Sequence, residues 1–155
     1  MKLNNQFDSL DKEILKKLNV DARIPFTQLA KDLGISNSLV HQRINKLKQS
    51  GVINRPTYML DPKILGYETA AYTSIAVTNA KFIHDIITEL EKIPEVVECF
   101  NITGKYALVI KIFAINNSHL REVLYEKVHP IRGVEGTDTI ITFETAFHRS
   151  VPIEI

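Results

Sequence analysis

In the stretch "NSLVHQRINKLKQ", Asn37 to Gln49, side chains that donate and accept hydrogen bonds recur at helical spacing: Ser38, His41, Gln42 and Asn45 lie three and four residues apart. At the helical period, Leu39, Val40, Arg43, Ile44 and Leu47 gather on one side of the wheel and the polar residues on the other. A carboxamide donates and accepts through one planar group, so Gln42 and Asn45 have the chemistry to take an adenine in paired bonds. Ser38 and His41 can reach an N7 or O6 acceptor. Lys46, at the margin of the face, and Arg55 beyond it suit phosphates. Ser36 and Asn37 at the helix start complete the candidate set. A merely solvated helix could carry the same residues, so the neighbouring elements and the charge must decide.

The charge is uneven. Residues 1–60 hold ten Lys/Arg against five Asp/Glu, whereas residues 61–155 hold nine against thirteen, within a total of only +1. A basic head on an acidic body predicts an anionic partner for the head alone. The 45% apolar content is enough for packed cores. No apolar run approaches the roughly 20 residues of a membrane span. "MKLNNQFDSLDKE" has no hydrophobic stretch of the kind that directs export, so a cytoplasmic location is expected. Cys99, the single cysteine, excludes an internal disulfide.

Three helices are predicted to position the polar face. Asp8 can cap the first, with Leu10, Ile14, Leu15 and Leu18 as its buried stripe. "DARIP" interrupts the pattern, Pro25 suits the start of a second helix, and Gly34 suits a left-handed stop. Ser36 is a strong N-cap for the third, which Gly51 ends. Arg43 is the one charge on the apolar side, and Asp11 and Asp32 are the acids it is expected to reach. "VINRPTYMLDP" follows as a wing and hinge, with the domain boundary near Leu60.

The rest alternates: a strand over Tyr67–Val77, a helix capped by Asn79, strands "EVVECFNI" and "YALVIKIF" joined by "TGK", a helix capped by Asn117 or Ser118, and a last strand "GTDTIITFETAF". The order β-α-β-β-α-β predicts a ferredoxin-like sandwich. The fold class is therefore α+β: a winged helix-turn-helix over residues 1–60, then a ferredoxin-like domain over 61–155. The five histidines are scattered, no acidic cluster completes a metal site, and there is neither a Gly-rich phosphate loop nor a GxSxG elbow. No enzyme activity, cofactor or metal is expected.

The N-terminal residues resemble the DNA-binding domain of the Lrp/AsnC family of feast/famine regulators, whose pattern is roughly LDxxDxxIL, DxR, LAxxxGxS and RLxxxGxI. Phe7-Asp8, Asp11, Ile14-Leu15, Asp21, Arg23, Leu29-Ala30, Gly34, Ser36, Arg43, Leu47, Gly51 and Ile53 match it. "LDPKILGY" and "IRGVEGTDT" resemble the family's effector-binding half. The resemblance implies a regulator that binds a palindromic operator in double-stranded DNA, forms homodimers that assemble further, commonly to octamers, and senses an amino acid or related small metabolite. The family commonly has a G-D-Y-D-like turn at its effector pocket. Here Gly104 and Tyr106 match, but Lys105 and Ala107 replace both acids. The expected effector site is Thr103, Gly104, Lys105, Tyr106, Thr137 and Thr139, holding a carboxylate while leaving an ammonium without its usual acid. Two other readings stand beside this one: a nucleoid-organising DNA-binding protein without a ligand, and a small enzyme with an accessory helix-turn-helix.

Overall fold

The computed structural model describes residues 7–54 and 58–153. They fall into two compact units: the described parts of Met1–Met59 and Phe147–Ile155 form one, and Leu60–Ala146 the other.

In the first unit α1 spans Ser9–Val20, α2 Phe26–Leu33 and α3 Asn37–Gln49. Each boundary has a local cause. Asp8 caps α1 in a reciprocal box, its side chain accepting from the Asp11 N–H at 2.9 Å while Asp11 accepts from the Asp8 N–H at 3.3 Å. Gly34 ends α2 at φ +65°, a left-handed position that costs glycine nothing. The Ser36 hydroxyl accepts from the Leu39 N–H at 3.2 Å and so starts α3 at Asn37, with only three residues between the two helices. The apolar stripes meet in a core of Ile14, Leu29, Ala30, Val40, Ile44 and Leu47, with Leu10, Leu18, Phe26 and Ile53 packed on it. The architecture is a winged helix-turn-helix. The described residues on either side of 55–57 form no strand, and Arg23 stacks its guanidinium 4.3 Å from the Tyr58 ring centroid. His148–Ile153 lie beside Lys16, Asn19, Val20 and Met59.

The second unit is a four-stranded antiparallel sheet: β1 Thr69–Val77, β2 Val96–Asn101, β3 Leu108–Ala114 and β4 Val134–Thr142, in the order β2-β3-β1-β4. A short 3-10 turn over Ala80–Phe82, capped by Asn79, leads into α4, Ile83–Leu90. Helix α5 starts at Asn117 and continues as a π-helical stretch over Val123–Val128. Its cap is Asn116, one residue earlier than the sequence pattern places it. Asn116 Oδ1 accepts from the His119 N–H at 2.9 Å, while Asn117 accepts from the Thr69 hydroxyl at 3.1 Å. Asn-Asn-Ser offers three capping residues in a row, and the tie to β1 decides which one caps.

Strand alternation sorts the sheet into two faces. Ala71, Ile75, Leu108, Ile110, Ile112 and Ala114 pack against Ile86, Leu90, Leu120, Val123 and Val128 of the helices. The other face carries Tyr72, Phe100 and Ile140, which are 39%, 48% and 68% exposed. The chain returns from the helices to β4 through Gly133 at φ +98°, where an added Cβ would lie 2.6 Å from Phe82 Cβ. Gly133→Ala is expected to destabilise the second unit by about 1–3 kcal/mol through backbone strain and this collision. Gly136→Ala, with open space around the site and no positive φ, is the control and should stay close to wild type in urea unfolding.

Candidate nucleic-acid interface and effector turn

Packing of α3 settles which side it shows to solvent. Val40, Ile44 and Leu47 are buried, Leu39 and Arg43 are half-buried, and Ser36, Asn37, Ser38, His41, Gln42, Asn45, Lys46, Lys48 and Gln49 are exposed. The polar residues that the wheel separates from the apolar ones are thus on one accessible face, apart from Arg55, which lies outside the described residues. Within that face several groups are already engaged. The Ser36 hydroxyl caps the helix and lies 3.0 Å from the Ser38 hydroxyl. The His41 ring sits edge-on to Phe26, centroids 4.8 Å apart. Gln42 and Asn45 line a shallow groove of about 670 Å³ together with Asp8, Leu39, Arg43, Lys46 and Gln49.

The rotation of α3 is held by a charged clamp. The Asp11 carboxylate is 0% exposed and accepts from Arg43 Nη1 at 3.1 Å and from Lys46 Nζ at 2.8 Å. Arg43 also donates to Asp8. Of the two acids expected for Arg43, Asp11 is its partner, while Asp32 instead accepts from Lys17 at 3.3 Å and Gln28 at 2.6 Å. Burial by itself would raise the Asp11 carboxyl, but the bonds from Lys46 and Arg43 outweigh it and hold the group below the ordinary carboxylate range. Asp8 is lowered too, first by the Asp11 N–H and then by Arg43. Lys46, expected at the edge of the face, is there and 49% exposed, but its ammonium also carries this internal bond.

In the second unit, β2 and β3 are joined by a four-residue loop, Thr103–Tyr106, closed by the Ile102 N–H donating to the Ala107 carbonyl at 2.9 Å. Gly104 takes φ +112° there. Lys105 places its ammonium 5.0 Å from the Tyr106 ring centroid. The Tyr106 hydroxyl donates to Asp138 Oδ2 at 3.2 Å, which joins the loop to β4. Thr137 and Thr139 flank Asp138 and turn the opposite way. Thr139 bonds the buried Thr73 hydroxyl at 2.9 Å, and Thr137 meets His129 Nε2 at 2.8 Å. The structure therefore brings Tyr106 together with Asp138, and sends the two threonine hydroxyls toward the helix-covered side.

The sequence matches the winged helix-turn-helix DNA-binding profile over residues 7–54 and the Lrp/AsnC ligand-binding domain over residues 70–152. It is 33% identical over 147 residues to the regulatory protein AsnC of Haemophilus influenzae, covering 95% of this chain and 98% of that one. The chain belongs to the Lrp/AsnC family. The Escherichia coli AsnC structure superposes with a TM-score of 0.89 at 32% identity, over 94% of this chain and 97% of that one. A transcriptional regulator of Neisseria meningitidis, solved with L-methionine, shares the fold with a TM-score of 0.90 at 20% identity, over 96% and 97% of the two chains. The protein is thus an Lrp/AsnC transcription regulator with a DNA-binding and a ligand-binding domain, and the family is one of regulators, not of enzymes. Among the described residues, no helix is long and apolar enough to cross a membrane.

Sequence reasoning missed two acids in this family frame. Asp8 reads as a cap and nothing more, yet it also meets Arg43. Asp138 lies between two threonines that share the opposite face of β4, so placing Thr137 and Thr139 inward would have pointed it outward toward the loop.

The clamp predicts how stability depends on pH. A carboxylate with a lowered folded pKa stabilises fully above its unfolded value, near pH 4, and that contribution disappears as pH falls through the folded value. Asp11→Asn should therefore cost the first unit about 3–5 kcal/mol at pH 7 and flatten the acid limb of its stability curve. Urea midpoints measured from pH 2 to 7 check both expectations; parallel wild-type and variant curves would contradict them.

Proposed function

We propose that this regulator reads a palindromic operator through α3 and responds to an amino acid or a related small metabolite bound by its second unit. In this reading residues 1–60 carry DNA binding, and 61–155 carry effector binding and oligomerisation. The observation that carries it is the accessible amide face of α3, held at a fixed rotation by the Asp11 clamp. Gln42 and Asn45 take base edges, with Ser38, His41 and Asn37 beside them. Ser36 and Lys46 lie toward the phosphates, and Arg55 is assigned a phosphate contact from its residue type alone. A homodimer supplies the second half-site about one helical turn away. The exposed Tyr72, Phe100 and Ile140 face supports pairing of two sheets, since an uncovered apolar sheet face needs a cover. Dimers assemble further, to octamers, in the cytoplasm, and no step is catalytic.

Gln42→Ala and Asn45→Ala should each weaken operator binding by roughly 1–3 kcal/mol while changing binding to random duplex much less. Fluorescence anisotropy on both DNAs tests this, and equal losses would remove these residues from base reading.

For the effector, Thr103, Gly104, Lys105 and Tyr106 offer backbone amides and one cation to a carboxylate, with Thr137 and Thr139 beneath. Asp138, bonded to Tyr106, supplies the acid that Lys105 and Ala107 remove from the loop, so an α-ammonium regains a partner. The methionine complex of the Neisseria regulator makes amino acids the first ligands to try. Calorimetry on the full chain should show amino-acid binding that Asp138→Asn weakens about tenfold or more, the loss of one charge-assisted bond. Lys105→Asp should weaken carboxylates without an amino group. If neither substitution changes any ligand's affinity, the site lies elsewhere.

A further inference from the structure

Several polar side chains of α3 and its cap are already committed within the chain. The Ser36 and Ser38 hydroxyls lie 3.0 Å apart, and the His41 ring sits against Phe26. Arg43 donates to Asp8 and Asp11, and the Lys46 ammonium bonds Asp11 at 2.8 Å. Three exposed carboxamides are different. Gln42, Asn45 and Gln49 line one groove, and among the described residues no hydrogen-bond partner claims any of the three. Gln49 is the one without a part in the proposed operator contact.

The helix ends in a way that holds Gln49 firm and leaves its side chain unused. Ser50 closes the last turn, its N–H donating to the Lys46 carbonyl at 2.9 Å and its hydroxyl to the Leu47 carbonyl at 2.9 Å. The Gly51 N–H donates to the Lys48 carbonyl at 3.0 Å, with Gly51 at φ +76°. These neighbours satisfy the helix terminus, so Gln49 projects from a turn of fixed backbone. At about 100° per residue, the three amides fall within about 60° of one another around the axis. At a rise of about 1.5 Å per residue, Gln49 lies about 6 Å beyond Asn45 and about 10 Å beyond Gln42. Base pairs stack about 3.4 Å apart, so the three amides span roughly three steps of a duplex laid along the helix. An amide at position 49 thus meets a base pair that neither Gln42 nor Asn45 covers.

We infer that Gln49 is a third base-reading residue, and that it sets the preference at the end of the half-site away from Gln42. This rests on the reading of α3 as the recognition helix and deepens it. A carboxamide donates to N7 of adenine and accepts from its N6 amino group, so adenine is the base that Gln49 selects. The N-terminal residues of a recognition helix ordinarily make the base contacts. Here the hydroxyls and the imidazole of the first turns are tied to the chain itself, and the unclaimed amides begin at position 42.

Selection of bound duplexes from a random pool, with the full chain and its variants at one salt concentration, tests the inference. Gln49→Ala should lower the adenine preference at one terminal position of the half-site by about fivefold or more, leaving the other positions unchanged. Gln42→Ala should act at the opposite end. Gln49→Glu keeps the shape but only accepts, so it should turn that same position from adenine toward cytosine, whose N4 amino group a carboxylate takes. Gln49 is exposed and takes no part in the helix cap, and alanine is the better helix former. The urea midpoint of Gln49→Ala should therefore stay at or slightly above wild type. Wild-type base preferences in both Gln49 variants, with Gln42→Ala still altering the selection, overturn the inference and leave DNA reading by α3 intact. A uniform loss of affinity across all sequences makes Gln49 a backbone contact and overturns it too. If Gln42→Ala, Asn45→Ala and both Gln49 variants all select as the wild type does, or no duplex is enriched even at low salt, the recognition-helix reading itself falls.

Discussion

Everything that the first unit shows to DNA depends on one buried carboxylate. Asp11, 0% exposed, is a costly group to place in a core of six buried apolar residues. It is tolerated because Arg43, Lys46 and the Asp8 N–H all donate to it. Those donors come from α3 and from the start of α1, so the carboxylate can be satisfied only at one rotation of α3 about its axis. An apolar stripe alone would specify that rotation loosely, since Leu39, Val40, Ile44 and Leu47 could shift against α2 by part of a turn. The ion cluster is therefore better understood as a registry device than as a large source of stability. It is also why the amides at 42, 45 and 49 point outward together.

In the second unit the governing constraint is the parity of a strand. Because side chains alternate, each residue of β4 is committed to one of two faces. Thr139 opposite Thr73 puts a hydroxyl pair on the covered side, where each satisfies the other. Asp138 is left on the other face, beside Ser74 in the register and within reach of Tyr106. The same parity leaves Tyr72, opposite Ile140 on β4, without a helix over it. The acid that meets Tyr106 and the uncovered apolar face are consequences of a single register, and a slip of one residue would exchange both.

How far the sequence revealed this depended on the range of each interaction. Boundaries fixed by local chemistry were legible: Asp8, Gly34 and Ser36 each act within four residues of their own position, and their roles follow from side-chain type and backbone preference. The amide face was legible because helical periodicity is local too. The sheet order followed from the strand and helix alternation. What could not be read were choices among equivalent groups made by distant partners. Three capping residues stand at 116–118, and the Thr69 hydroxyl, 48 positions away from Asn117, settles which of them caps. Arg43 had two acids in prospect, and the packing of α1 on α3 chose Asp11 and added Asp8. The loop near Gly104 read as short of acids, since the acid that meets Tyr106 is 32 residues further on.

The two constraints also bear on why such a helix would need a second copy of the chain. Under the proposed base reading, two amide readers would contribute about 2–6 kcal/mol of discrimination at the magnitudes known for base contacts, whereas specific sites typically exceed non-specific DNA by about 4–10 kcal/mol. An arginine reader could narrow that gap from within one chain, but Arg43 is committed to holding α3 in place. In that reading, an Arg43 held by Asp8 and Asp11 leaves the helix one strong base contact short. In the proposed dimer the same amide set acts twice, and the apolar sheet face that would bring the copies together lies in a different unit from the reading helix. Selection for base reading and selection for assembly can then act on separate residues.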